Sequence, residues 1–271
     1  MRDAAGVVRA GSVGELAWLE RGGAPAVAPV LPLAQGEGVL LALTFDQAAL
    51  AHRIAESAQV SLVMRDPRGT GSGFAPGTWR ATPRLEIDPS GRVYQDHLIT
   101  QELRRYPPAR TLVDSPMLCR ENWWYLPRLI VHLEDVVALE PAPAVRADLR
   151  DHLLVSVDDG IPTVATVRVE QAPPTPGPVE VTVTGGQTPT PGPAVLFAQQ
   201  ASYPDLERWA GWAWHGVLGK STDRDRLVLE ATAGPDHVGL PATPGLRRRW
   251  RAHRDLQRSC RKALAAYEER R

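Results

Sequence analysis

The chain has 271 residues, 31 basic against 31 acidic side chains, and a hydrophobic fraction of 43%. That balance excludes a disordered chain and a wholesale nucleic-acid binder, and the length favours two cores over one. No run of eighteen apolar residues occurs and the first fifteen residues hold no apolar signal-like core, so neither a membrane helix nor a secretory leader is expected. Cys119 and Cys260 are too few for a disulfide framework and lack metal-site spacing. Reduced thiols in a cytoplasm are the expectation. Lys is nearly absent while Arg, Ala, Pro and Gly abound, as in a high-GC genome.

In chain order, Val13 to Arg21 reads as a short helix with Leu16 and Leu19 paired, ended by Gly22 and Gly23. Ala26–Leu33 and Gly38–Thr44 read as strands around a polar turn, and Asp46–Ser57 as a helix with Asp46 at its N-cap. Val60–Arg65 is a further strand, and Asp66–Gly77 a loop. Thr78–Ile87 and the segment after Gly91 read as a hairpin about Asp88-Pro89-Ser90-Gly91. His97–Tyr106 follows as a helix halted by Pro107, and Trp124–Leu133 as a closing strand.

EPAPAV from Glu140 reads as a linker, after which an internal match appears. GAPAVAPV at Gly23 and GIPTVATV at Gly160 share five of eight positions. VLLALTF at Val39 pairs with VEVTVTG at Val179, and the segment at Gly77 with that at Gly211. The order agrees as well as the residues, which points to two related halves. The expected division is 1–140, 146–240 and a basic amphipathic helix over 241–271. That helix carries a stripe of Trp250, Leu256 or Gln257, Cys260, Leu264 and Tyr267, with arginines on its other faces. A basic helix in a neutral chain is too weak a signal for nucleic acid. Its charge reads as a solvated face, or as a clamp on an anion.

The first half, with PxxPL, a TF step into a helix, the VSLVMRD strand, a DPSG turn and DSPMLCRENWWYLPRLIVHL, resembles the FMN-binding split β-barrel proteins of pyridoxamine-5'-phosphate-oxidase type, in an actinobacterial branch. The second half resembles a degenerate copy. The resemblance implies a mainly β (α+β) fold of two split-barrel halves forming a pseudo-dimer, with a cofactor in the groove between barrels; a true homodimer is equally compatible. It implies a flavin-dependent oxidoreductase acting on a small organic substrate. The Ser and Lys that grip the FMN phosphate in such proteins fall here on Ala48 and near Leu50. His52 and Arg53 remain, with Arg65, Arg80 or Arg84 to compensate. The departure raises haem, the deazaflavin F420, or a non-catalytic ligand-binding scaffold as alternatives.

Two histidines can serve as haem ligands: His215 in GWAWHG, on the strand face opposite Trp212 and Trp214, and His97 beside Asp96. In the block Arg120–Arg128, Trp123, Trp124 and Tyr125 can stack on a flat ligand while Arg128 takes its anionic group, or can glue the two halves together. No phosphate loop, nucleophile elbow or HxxxH pair occurs, so no zinc site and no general acid or base is assigned.

Overall fold

The computed structural model describes residues 3–270 apart from 72, 111–122, 142, 146–150, 171–175 and 221–226. Cys119 and Arg120–Asn122 therefore lie outside the described residues. After a short helix α1 (Ala4–Ala10), the first half contributes β1 (Gly14–Leu19), β2 (Pro25–Val30), β3 (Pro32–Gln35) and β4 (Gly38–Thr44). Helix α2 (Ala48–Ala55), β5 (Val60–Met64), β6 (Gly77–Asp88), α3 (Ile99–Arg105) and β7 (Arg128–Ala138) follow. The second half holds β8 (Asp151–Asp158), β9 (Ile161–Val169), β10 (Gly177–Gly186), β11 (Gly192–Ala201), β12 (Trp209–Lys220) and β13 (Leu227–Ala233). Helix α4 (Leu246–Glu268) ends the described chain.

The two halves share one connectivity. In the first, β1 pairs with β2 and β5, β5 with β6, β6 with β7, and β7 with β4, all antiparallel. In the second, β8 pairs with β9 and β11, β11 with β12, β12 with β13, and β13 with β10, in the same corresponding order. Pairing of β9 with β10 closes the second barrel. In the first, β3 continues β2 after Leu31 and pairs with β4, so chain continuity supplies the same closure. The three sequence matches fall on corresponding strands: β2 with β9, β4 with β10, β6 with β12. Gly23 and Gly160 each turn the hairpin ahead of the matched strand at φ +78° and +71°, a conformation that favours glycine.

The halves meet through the same strands of each. Ala17 on β1 and Val63 on β5 pack with Leu153 and Val155 on β8, Val164 on β9 and Phe197 on β11. β1 and β5 touch β9, while β8 and β11 touch β2, so each contact has its reciprocal, as across a two-fold axis. Ser61, fully buried, donates its hydroxyl to the carbonyl of Pro162 at 2.9 Å. The chain is a mainly β pseudo-dimer of two split-barrel halves with a C-terminal helix.

Four local expectations are corrected. Val13–Arg21 is not a helix; it holds strand β1, buried on both faces. The segment after Gly91 is not a strand. Asp88 bonds the backbone of Arg92 (3.1 Å) and Tyr94 (3.3 Å) and starts helical structure that runs through Tyr94–Leu98 into α3. Trp123–Tyr125 is a turn of 3-10 helix, and the closing strand begins only past Pro127. Trp250 leaves the apolar stripe: it is 62% exposed, with the Arg254 guanidinium 4.6 Å from its ring centre.

Helix α4 docks mainly on the first half and touches the second through the Arg249–Glu207 pair. Tyr267 meets Phe45 edge-on at 6.1 Å, His253 meets Trp124 at 5.6 Å, and the Cys260 thiol donates to Asp46 at 3.4 Å. Burial pushes the Cys260 thiol up to about 12. Thiolate is the reactive form, so Cys260 is expected to resist iodoacetamide at about pH 8 in the native protein and to react once denatured. Peptide mapping checks this; fast native labelling of Cys260 would mean that α4 leaves its seat.

Candidate functional site

A cavity of about 480 Å3 opens where the end of the first barrel, the start of β12 and α4 converge. From the first half come Pro29–Leu31, Leu33, Leu41–Thr44, Gln47 and Leu50; β12 adds Trp209, and α4 adds Ala252, His253 and Leu256. Strand β4 is apolar from Val39 to Leu43, which a strand covered on both faces requires. Val39–Leu41 are buried in the core of the first half, and Leu41–Thr44 line the cavity at the end of the strand. Arg105 ties this wall together, its guanidinium donating to the carbonyls of Pro32 and Ser12. Trp209 is held by an indole N–H bond to Gln199 (2.8 Å) and by Tyr106, 6.5 Å away ring to ring.

The polar groups are few. Tyr125 donates to Glu102 at 2.7 Å, and both line the cavity together with Tyr106 and Asp46. Burial first, and the Glu102 carboxylate second, push both phenols above the ordinary tyrosine range. They therefore remain protonated donors at neutral pH. Behind them lies Arg128, fully buried, its guanidinium 3.7 Å from the Tyr94 ring centre, 4.1 Å from that of Tyr125 and 3.8 Å from Glu102.

Of the aromatic and charged residues singled out from the sequence as ligand contacts, Tyr125 lines this cavity and the others do not. His52 is exposed on α2. Arg53 bonds Glu20 through Nε at 3.0 Å and lies over the Trp18 ring. Arg65 is buried in a two-pronged pair with Glu15 (2.7 and 2.8 Å). Arg80 sits half-buried on β6 opposite Ser61, and Arg84 bonds Glu134. His97 and His215 are both exposed, His215 on the outer face of β12 opposite buried Trp212 and Trp214. Trp123, 63% exposed, and Trp124, buried under α4, line a separate open cavity of about 610 Å3 beside Arg261.

Sequence reasoning missed Trp209, Glu102 and His253. For His253 a signal exists: it stands three residues before Leu256 and seven before Cys260, in phase with the stripe. The surrounding arginines mask it. Trp209 carries no such mark, since its role depends on the strand's end meeting the other half.

An FMN phosphate does not fit where the resemblance would place it. Along Thr44–Arg53 the cavity is lined by the Asp46 carboxylate, while Arg53 turns to Glu20. A dianion beside a carboxylate without a facing cation is repelled. Among the described residues no cluster of His, Cys, Asp or Glu is arranged to hold a metal ion, and no described helix is long and apolar enough to cross a membrane.

No family model and no curated protein matches the chain. Solved structures resemble about half of it. The conserved hypothetical protein Rv2991 from Mycobacterium tuberculosis aligns at 17% identity and TM-score 0.34, over 51% of this chain and 81% of its own. The heme storage protein HutZ from Vibrio cholerae aligns at 15% and 0.33, over 51% and 95%. An F420 reductase aligns at 16% and 0.32, over 49% and 94%. At these scores the likeness is partial, and no chemistry is taken from it.

Proposed function

We propose that the chain binds a flat, largely apolar organic molecule in the groove between its halves, beneath α4. The observation that carries this is the 480 Å3 cavity, walled by both halves and α4, with an apolar lining and a few convergent polar groups. Oxidoreductase chemistry with a flavin-type or deazaflavin ring is the activity such a site would serve: the ring supplies the redox step, and the protein supplies a dry wall and phenolic donors. The phosphate of FMN finds no partner along Thr44–Arg53, which favours a ring whose anionic group lies elsewhere. Haem is the second reading, now resting on His253 in place of His97 and His215, because His253 is the histidine lining the cavity. The shared connectivity and the three matched strand pairs support descent of the halves by duplication.

The test is titration of the purified protein with FMN, a deazaflavin and haemin, followed by absorbance and fluorescence, beside the Leu43→Trp variant that fills the cavity. One equivalent per chain is expected for one of these ligands, with at least a tenfold loss in Leu43→Trp. Binding that Leu43→Trp leaves unchanged, or no binding of any of the three, overturns the reading. Loss of the haemin Soret shift in His253→Ala would favour haem over a flavin-type ring.

A further inference from the structure

A second cavity of about 400 Å3 adjoins the first, and the two share Pro108, Trp209 and Ala252. Its lining differs in kind. Where the first cavity presents leucines with Asp46 and Glu102, the second presents Arg208, Arg248 and Arg249 with one carboxylate, Glu207, and Pro241 and Pro244 as its rim. One of these cations is already used: Arg249 pairs with Glu207 at 2.7 Å and donates to the carbonyl of Pro244 at 3.0 Å. Arg208 and Arg248 make no ion pair among the described residues. Both have fixed backbones. Ser202 accepts from the Arg208 N–H at 3.1 Å and donates its own N–H to the Arg208 carbonyl at 2.8 Å, and the Arg248 N–H bonds Gly245 at 3.0 Å.

We infer that Arg208 and Arg248 form an anion subsite for the ligand of the groove, which makes that ligand an amphipathic oxyanion. Its apolar body lies against Leu31, Leu41 and Leu43, and its carboxylate, phosphate or sulfonate passes Trp209 to the two guanidinium groups. Two facts separate the ends. The Asp46 carboxylate of the apolar cavity has no ion pair among the described residues and repels an anionic group there, whereas Glu207, the carboxylate of the adjoining cavity, is paired with Arg249. The two cations without an ion pair line only the adjoining one, and guanidinium is the side chain best matched to an oxyanion by its planar fork. Trp209, clamped by Gln199 and Tyr106, stands between as a rigid aromatic wall. The inference rests on the groove reading above and adds the chemical class of what the groove takes.

The experiment uses two fluorescent probes of nearly the same shape on the full-length chain: 8-anilinonaphthalene-1-sulfonate and the uncharged N-phenyl-1-naphthylamine. Wild type should bind both, the sulfonate more tightly at low salt, with only the sulfonate losing affinity as salt rises. The Arg208→Ala/Arg248→Ala variant, its fold checked by circular dichroism, should bind the sulfonate about tenfold or more weakly and the neutral probe within twofold of wild type. Leu43→Trp should weaken both. Equal sulfonate binding by wild type and the arginine variant overturns the subsite while leaving the groove intact. Failure of wild type to bind either probe, or indifference of both probes to Leu43→Trp, overturns the groove reading itself. An equal loss of both probes in the arginine variant also overturns the subsite, since it would show a role in shape and not in charge.

Discussion

Replacing Arg128 with Ala should lower stability by about 3–5 kcal/mol, the usual cost of removing one member of a buried charge pair. In a chain of this size that is a fall in Tm of roughly 6–20 °C by calorimetry. The reason is what stays behind. Glu102 is buried and has two partners, the Tyr125 hydroxyl at 2.7 Å and the Arg128 guanidinium at 3.8 Å. The longer contact is no hydrogen bond, so its worth is charge compensation in a medium of low dielectric. Arg128 also lies against the Tyr94 and Tyr125 rings, which stand edge-on to each other, and such cation–ring contacts contribute about 2 kcal/mol when desolvated. Adding Glu102→Gln to Arg128→Ala should recover part of the loss, because the orphaned group is then neutral. Arg128→Lys should not rescue, since a compact ammonium cannot meet both rings and Glu102 as the wide guanidinium does. A single variant melting within about 2 °C of wild type would show that the cluster is relaxed by water.

That cluster also shows what a sequence hides. Trp123, Trp124 and Tyr125 beside Arg128 are conspicuous in the sequence, where they read as a platform for a flat ligand or as glue between the halves. The stack is internal, however: Arg128 faces two tyrosines of its own half, one of them thirty-odd residues earlier in the chain. The strands were legible where alternation or apolar runs marked them, as in β4, β5 and β9. Strand β1 was not, because Glu15 sits on a buried face and breaks the apolar run unless Arg65, on another strand, is known to meet it. The DPSG turn reads as a hairpin because Asp, Pro, Ser and Gly favour turns of several kinds; the Asp88 carboxylate decides for a helix start. The groove was illegible for a simpler reason. Its walls are mostly ordinary Leu, Pro and Ala side chains, the lining comes from six separated segments, and only the closure of the barrel and the docking of α4 bring them together.

The Glu15–Arg65 pair gives the second large effect and the opposite sign for its double variant. Both side chains are 2% exposed and joined by two bonds of 2.7 and 2.8 Å, which is the strong bidentate geometry. Arg65→Met alone should cost about 3–5 kcal/mol, since the Glu15 carboxylate is left in the protein interior with no cation. Glu15→Leu alone should cost a similar amount for the converse reason. Together the two substitutions should return the protein to wild-type stability or above, because desolvating two ions roughly cancels their attraction, and Leu and Met of similar volume bring no such penalty. One feature strengthens that expectation: Nη1 of Arg65 is buried without a hydrogen-bond partner, so the pair leaves one donor unsatisfied. The site lies beside the seam of the halves, where the Val145 N–H bonds the Arg65 carbonyl at 3.0 Å, a backbone contact that the substitutions leave in place. Chemical denaturation of the two single variants and the double closes the cycle. A double variant as unstable as either single would mean that the pair holds the strand β1–β5 register, and that its geometry outweighs the desolvation of its charges.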